Sequence, residues 1–92
     1  MINAAVIGLG WWGRYIITSL QGKGDAIRFV RGADIDADAS LGFAEEYGVR
    51  FSTDFADALG DDDVDAVILT TPHSLHEQQI TQAAAAGKHV FS

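Results

Sequence analysis

The chain has 92 residues, no cysteine, and 13 acidic against 6 basic side chains, for a net charge of −7. That length holds one small domain, and the acidic balance argues against nucleic acid or an anionic membrane surface as partner. Neither disulfide nor thiolate chemistry is available, the apolar runs fall short of the ~20 residues of a membrane helix, and with no basic segment ahead of an apolar one the expected location is the cytoplasm.

The stretch "INAAVIG" is a short apolar run and predicts a buried strand from Ile2 to Ile7. Glycines follow at Gly8, Gly10 and Gly13. Then "RYIITSLQG" sets Tyr15, Ile16 and Leu20 at helical spacing, with Gly22 as the stop. Beyond the loop "GKGD", "AIRFVRGAD" predicts a second strand ending near Asp34. "DADASLGFAEEYG" predicts a helix capped by Asp36 or Asp38, with Leu41, Ala44 and Tyr47 facing inward and Gly48 at its end. "VRFST" is a short third strand. "DFADALGDD" is one or two helical turns capped by Thr53 or Asp54, and Asp61 to Asp63 are expected in a solvated loop before the next strand. "VDAVILT" has the near-continuous apolar character of a parallel strand covered on both faces. "LHEQQITQAAAAG" is an alanine-rich helix stopped by Gly87, and "KHVFS" begins a fifth strand. Strands alternating with helices predict an α/β fold. With right-handed crossovers, the expected architecture is a Rossmann-type, doubly wound parallel sheet of five strands in the order 3-2-1-4-5.

The glycines gain meaning from their setting. They follow a strand directly, they open a helix, and an acid, Asp34, stands at the end of the next strand, about twenty residues on. Gly8 permits the tight turn, Gly10 lets a pyrophosphate reach the backbone, and Gly13 lets the helix pack closely. The amides of the helix start then face the phosphates, with the helix dipole behind them. Trp11 and Trp12 fit this loop because the intervening positions offer their backbone N–H, not their side chains. Trp12 is expected to pack on apolar neighbours. Trp11 either packs likewise or walls the cleft near the reactive end of a cofactor. Asp34 is expected to accept hydrogen bonds from the adenosine ribose hydroxyls and to repel a 2′-phosphate, which favours NAD over NADP. Arg31, on the preceding strand, is the cation that would reach round in the opposite case. Thr70, Thr71 and Pro72 lie just past the fourth strand, beside the point where open α/β sheets bind ligands. A His73/His76 metal pair lacks a third ligand, so no metal site is expected.

Taken together, "VIGLGWWGR", "GADID", "AEEYGV", "VDAVILTTPHSLHEQQI" and "AAAAGKHVFS" resemble the amino-terminal domain of the glucose–fructose oxidoreductase / inositol 2-dehydrogenase (Gfo/Idh/MocA) family, over nearly the whole chain. The resemblance implies an NAD(P)-dependent oxidoreductase that moves hydride between a nicotinamide and a sugar, cyclitol or related small-molecule substrate. It implies that Gly8, Gly10, Trp11, Trp12 and Gly13 hold the pyrophosphate and Asp34 the adenosine ribose. It also implies that Thr70, Thr71, Pro72 and His76 line the nicotinamide side, although for His76 a plain helix-start role stands equally open. The family continues its fifth strand into a Glu-Lys-Pro motif and carries a separate substrate domain. Residues 1–92 are therefore expected to be the NAD(P)-binding part of a longer enzyme, inactive alone, with no catalytic residue of its own. The edge of the fifth strand makes a homo-oligomer the expected assembly. Two rivals remain at this point: a non-catalytic NAD-binding sensor or scaffold of the same fold, and a methyltransferase, in which "TTPHSLH" has no evident task.

Overall fold

The computed structural model describes residues 2–23, 26–34, 37–71 and 73–91. Its elements run β1 (Ile2–Ile7), α1 (Trp11–Leu20), β2 (Ile27–Ala33), α2 (Ala37–Glu46), β3 (Arg50–Ser52), α3 (Phe55–Leu59), β4 (Ala66–Leu69), α4 (His73–Ala85) and β5 (His89–Phe91). Strand β1 explains the architecture. Ala4 and Val6 point to one face of the sheet, and Ala5 and Ile7 to the other, and all are buried. A stretch covered on both faces must be apolar at successive positions, and so Ala4 to Ile7 read as an unbroken run.

The sheet has the order β3-β2-β1-β4-β5, and every pairing is parallel. One irregularity interrupts it. Ala4 pairs with Phe29 and Ala5 with Arg31, leaving Val30 as the extra residue of a bulge. On one face Ile17 of α1 and Ala44 of α2 pack with Leu9, Phe29 and Val49. On the other, Ala58 of α3 and Ala83 of α4 pack with Val64, Val67 and Leu69. The chain changes face between β1 and β4, and that change places a crevice at the carboxyl ends of these strands.

Several local expectations shift. Among the described side chains of α1 the fully buried apolar one is Ile17, while Tyr15 and Leu20 are exposed. In α2 Leu41 was expected inside but is 47% exposed, and Ser40 is buried with Ala44. Two small residues one turn apart face the sheet, and Phe43 and Tyr47 meet at the flank with tilted rings whose centroids are 4.8 Å apart. Asp38 lies within the first turn of α2 and does not cap it; Asp36 lies outside the described residues. Of the two candidates for α3, Asp54 is the cap, its carboxylate accepting from the Ala56 N–H at 2.9 Å. Helix α4 begins two residues before the expected Leu75, at His73.

The solvated-loop expectation for Asp61 to Asp63 fails at its first residue. The Asp61 side chain is only 9% exposed and lies 3.0 Å from Arg31 Nε and 2.7 Å from Arg50 Nη2. Its other carboxylate oxygen accepts from the Asp63 N–H at 2.9 Å. Lys88 Nζ donates to the Asp61 and Val64 carbonyls at 2.8 and 2.6 Å. The Asp63 N–H, first, and the two guanidiniums hold the Asp61 carboxyl below its ordinary range, against the opposing pull of burial. One carboxylate thus ties β2, β3 and the loop before β4 at the amino end of the sheet.

Candidate functional site

The turn from β1 into α1 divides its work among three glycines. Gly8 takes φ +96°, a left-handed conformation that an L side chain adopts at a cost. Gly13 is needed for contact: a Cβ there would lie 2.0 Å from the Gly8 carbonyl oxygen and 3.0 Å from Thr70 Oγ1. Gly10 is different again. Nothing lies within 4 Å of where its Cβ would stand, so its missing side chain leaves open space above the helix start. Gly10 is the N-cap of α1, no side chain caps it, and no acid occupies the first turn. The amino end and the dipole of this helix therefore face that space without a carboxylate in their own turn.

Three side chains brace the turn. Thr70, just past β4, sets its hydroxyl 2.9 Å from the Ile7 carbonyl oxygen and 2.6 Å from that of Gly8, sharing one proton between them. Asp34, just past β2, accepts the Leu9 N–H at 2.6 Å. Arg14 donates its Nε to the Leu9 carbonyl at 2.8 Å, and its guanidinium sits 5.1 Å from the centre of the Phe43 ring. Leu9 itself is buried, its side chain over Gly32.

Above these braces lies a cleft of about 370 Å³. Gly8, Gly10, Asp34, Thr70 and Thr71 line one part of it, and Thr53, Phe55 and Gln79 another. Thr71 donates its hydroxyl to the side-chain carbonyl of Gln79, which joins the loop after β4 to α4. The cleft thus brings together Gly8, Gly10, Asp34, Thr70 and Thr71, as expected from sequence. Gly13 lies beneath it as a packing contact. Trp12 does not pack into the core; it is 53% exposed and stacks on Tyr15 with ring centroids 5.5 Å apart. Pro72 and the side chains of Trp11 and His76 lie outside the described residues. Arg31 points to Asp61 and away from any role beside Asp34. Sequence reasoning missed Arg14, whose only signal is its place directly after Gly13, and Phe55 and Gln79, which carry no local signal.

A crevice of this shape, with a helix amino end at one side and a carboxylate just past the neighbouring strand, suits an anionic ligand that also carries a diol. Comparison with known proteins agrees. Residues 2–92 match the model of an oxidoreductase family with an NAD-binding Rossmann fold. The chain is 38% identical over 90 residues to 4-carboxy-2-hydroxymuconate-6-semialdehyde dehydrogenase of Sphingobium, covering 97% of this chain and 28% of that protein. It is 36% identical over 90 residues to inositol 2-dehydrogenase 3 of Saccharopolyspora erythraea, covering 98% of this chain and 27% of that protein. Among solved structures, scyllo-inositol dehydrogenase of Lactobacillus casei, with bound NAD(H) and scyllo-inositol, superposes with a TM-score of 0.89 at 33% identity, over 100% of this chain and 27% of that one. The chain spans about a quarter of the length of the curated relatives it matches.

Proposed function

The chain belongs to the Gfo/Idh/MocA oxidoreductase family, and from that premise we propose that residues 1–92 are the cofactor-holding domain of an NAD-dependent oxidoreductase acting on a sugar, cyclitol or related hydroxyl or carbonyl compound. The observation that carries this reading is the juxtaposition of Asp34 with the open space over Gly10, both in one cleft. In the proposal the diphosphate rests on the backbone amides at Gly10, Trp11 and Trp12, where no Cβ at Gly10 obstructs it. Asp34 accepts from the ribose hydroxyls. Its charge disfavours a 2′-phosphate, and Arg31, the cation that would offset this, is held by Asp61. Thr70, Thr71, Pro72 and His76 are assigned to the nicotinamide side. When bound, the nicotinamide supplies the hydride donor or acceptor. The residues of this chain bind and orient it, and none is assigned as general acid or base. Self-association is assigned to the outer edge of β5, where Phe91 is exposed.

Titration of the chain with NADH tests the reading, with the fluorescence of Trp11 and Trp12 as the signal. Saturable quenching at micromolar NADH is expected, weaker for NADPH, and about tenfold weaker in the Gly10→Ala variant. Preference for S-adenosylmethionine, or no response to any nicotinamide dinucleotide from a folded sample, would overturn it.

A further inference from the structure

We propose that Asp34 is also a positioning residue for the glycine turn, so that cofactor selection and the order of the diphosphate cradle depend on one carboxylate. This inference rests on the functional reading above. Its starting point is the 2.6 Å bond from the Leu9 N–H to Asp34 Oδ2. Leu9 lies between Gly8 and Gly10, the two residues with the greatest backbone freedom in the turn. A loop so built loses more conformational entropy on gripping a ligand unless something inside the protein has ordered it first.

Leu9 is held at three points. Its side chain is buried over Gly32 and Val49, its carbonyl takes the Arg14 Nε–H, and its N–H goes to Asp34. Arg14 belongs to the helix that the turn opens, and so moves with it. Asp34 stands at the end of β2 and anchors the turn polar group to polar group against the sheet. The acceptor is a carboxylate at short range, the stronger class of hydrogen bond. The bond fixes the Gly8–Leu9 peptide, as the Arg14 bond fixes the Leu9–Gly10 peptide, and with them the direction of the amides that follow. Replacing Asp34 to admit a 2′-phosphate would therefore do two things at once. It would remove the repelling charge, and it would release the Leu9 amide and loosen the cradle.

Asp34→Ala and Asp34→Asn separate these effects, because both lack the charge and only asparagine keeps an oxygen for the Leu9 N–H. The readouts are amide hydrogen exchange at Leu9 and binding of inorganic pyrophosphate, which has no ribose. Asp34→Ala should speed exchange at Leu9 by about tenfold relative to Asp34→Asn, and should bind pyrophosphate several-fold more weakly than Asp34→Asn. Equal exchange and equal pyrophosphate binding in the two variants would overturn the proposal, leaving Asp34 a ribose contact only. If Asp34→Ala does not fold, Asp34→Asn against the unsubstituted chain supplies the test: exchanging the carboxylate for an amide oxygen should move the Leu9 amide proton resonance and speed its exchange, and a Leu9 amide unchanged in both refutes the brace. Absence of NADH binding in a chain whose Leu9 amide still depends on Asp34 would sink the functional reading and leave the brace standing.

Discussion

Replacing Gly13 with alanine separates a packing glycine from a ligand glycine. The new Cβ would stand 2.0 Å from the Gly8 carbonyl oxygen and 3.0 Å from Thr70 Oγ1. A carbon approaches a carbonyl oxygen to about 3.3 Å, so the start of α1 must retreat by more than an ångström. Gly8 cannot yield easily, because its carbonyl is held by Thr70 at 2.6 Å and its N–H by the Ala33 carbonyl at 2.7 Å. The offending atom is backbone, and the cost belongs at the upper end of overpacking, ~3 kcal/mol or more. For a domain of this size that lowers the melting temperature by about 12–24 °C. Gly10→Ala is the contrast. Gly10 has φ −76°, which alanine adopts freely, and its Cβ would meet nothing within 4 Å. It should melt as the parent does and yet bind NADH about tenfold more weakly, a loss of ~1.4 kcal/mol. Circular dichroism melts and fluorescence titrations decide both. A Gly13→Ala protein that melts with the parent, or a Gly10→Ala protein that loses stability and keeps its affinity, would refute this division of labour.

Thr70→Val leaves the Gly8 carbonyl without its hydroxyl donor, while the Ile7 carbonyl keeps the Thr70 N–H at 2.9 Å. Urea unfolding should show a loss of ~1–3 kcal/mol, most of it recovered in Thr70→Ser. Gly32→Ala places a Cβ 3.0 Å from Leu9 Cδ1 and 3.3 Å from Val49 Cγ1. That crowding should cost ~1 kcal/mol and displace the Leu9 methyl resonances, which heteronuclear NMR reads. Asp61 supplies the pH dependence. Its folded carboxyl is held below the ordinary range, so the folded state binds that proton more weakly than the unfolded one. The resulting stability is complete above the ordinary carboxylate pKa and is lost as pH falls through the lowered folded value. Asp61→Asn should therefore be less stable than the parent at neutral pH, with the gap closing in acid. A gap that stays constant through the carboxylate range would show that Asp61 contributes nothing to acid unfolding.

The sheet order was legible because its signal is local and repeated. β1 and β4 are apolar at successive positions, since both faces of each are covered. Gly22, Gly48 and Gly87 mark helix ends one after another. The inward faces of the helices were harder to read. Hydrophobicity alone sends Leu41 inside and Ser40 outside, yet α2 buries Ser40 and Ala44 with Phe43 packed beside them, and Leu41 is left half exposed. Periodicity gives the spacing of a stripe; the distance between layers selects which stripe is used. Asp61 escaped for a related reason. In "GDDDVD" it looks like its neighbours, and what distinguishes it is the approach of Arg31 and Arg50 from two other strands.

The candidate site shows the same boundary between near and distant information. A glycine at position 8, 10 or 13 carries one letter and three different loads: a backbone angle, an open approach and a contact with a carbonyl. The spacing announces a loop, but only the fold shows that Gly13 meets Gly8 itself. Thr70 was chosen from sequence because it follows β4, and it does line the cleft. Its hydroxyl, however, is turned toward two carbonyls of the β1 turn, some sixty residues away in the chain. Asp34 was chosen for a ribose, and the structure shows it holding the Leu9 N–H. The crevice is thus built by residues that hold one another across three strands, and on the proposed reading a substitution meant to alter one ligand contact would move the loop that makes the others.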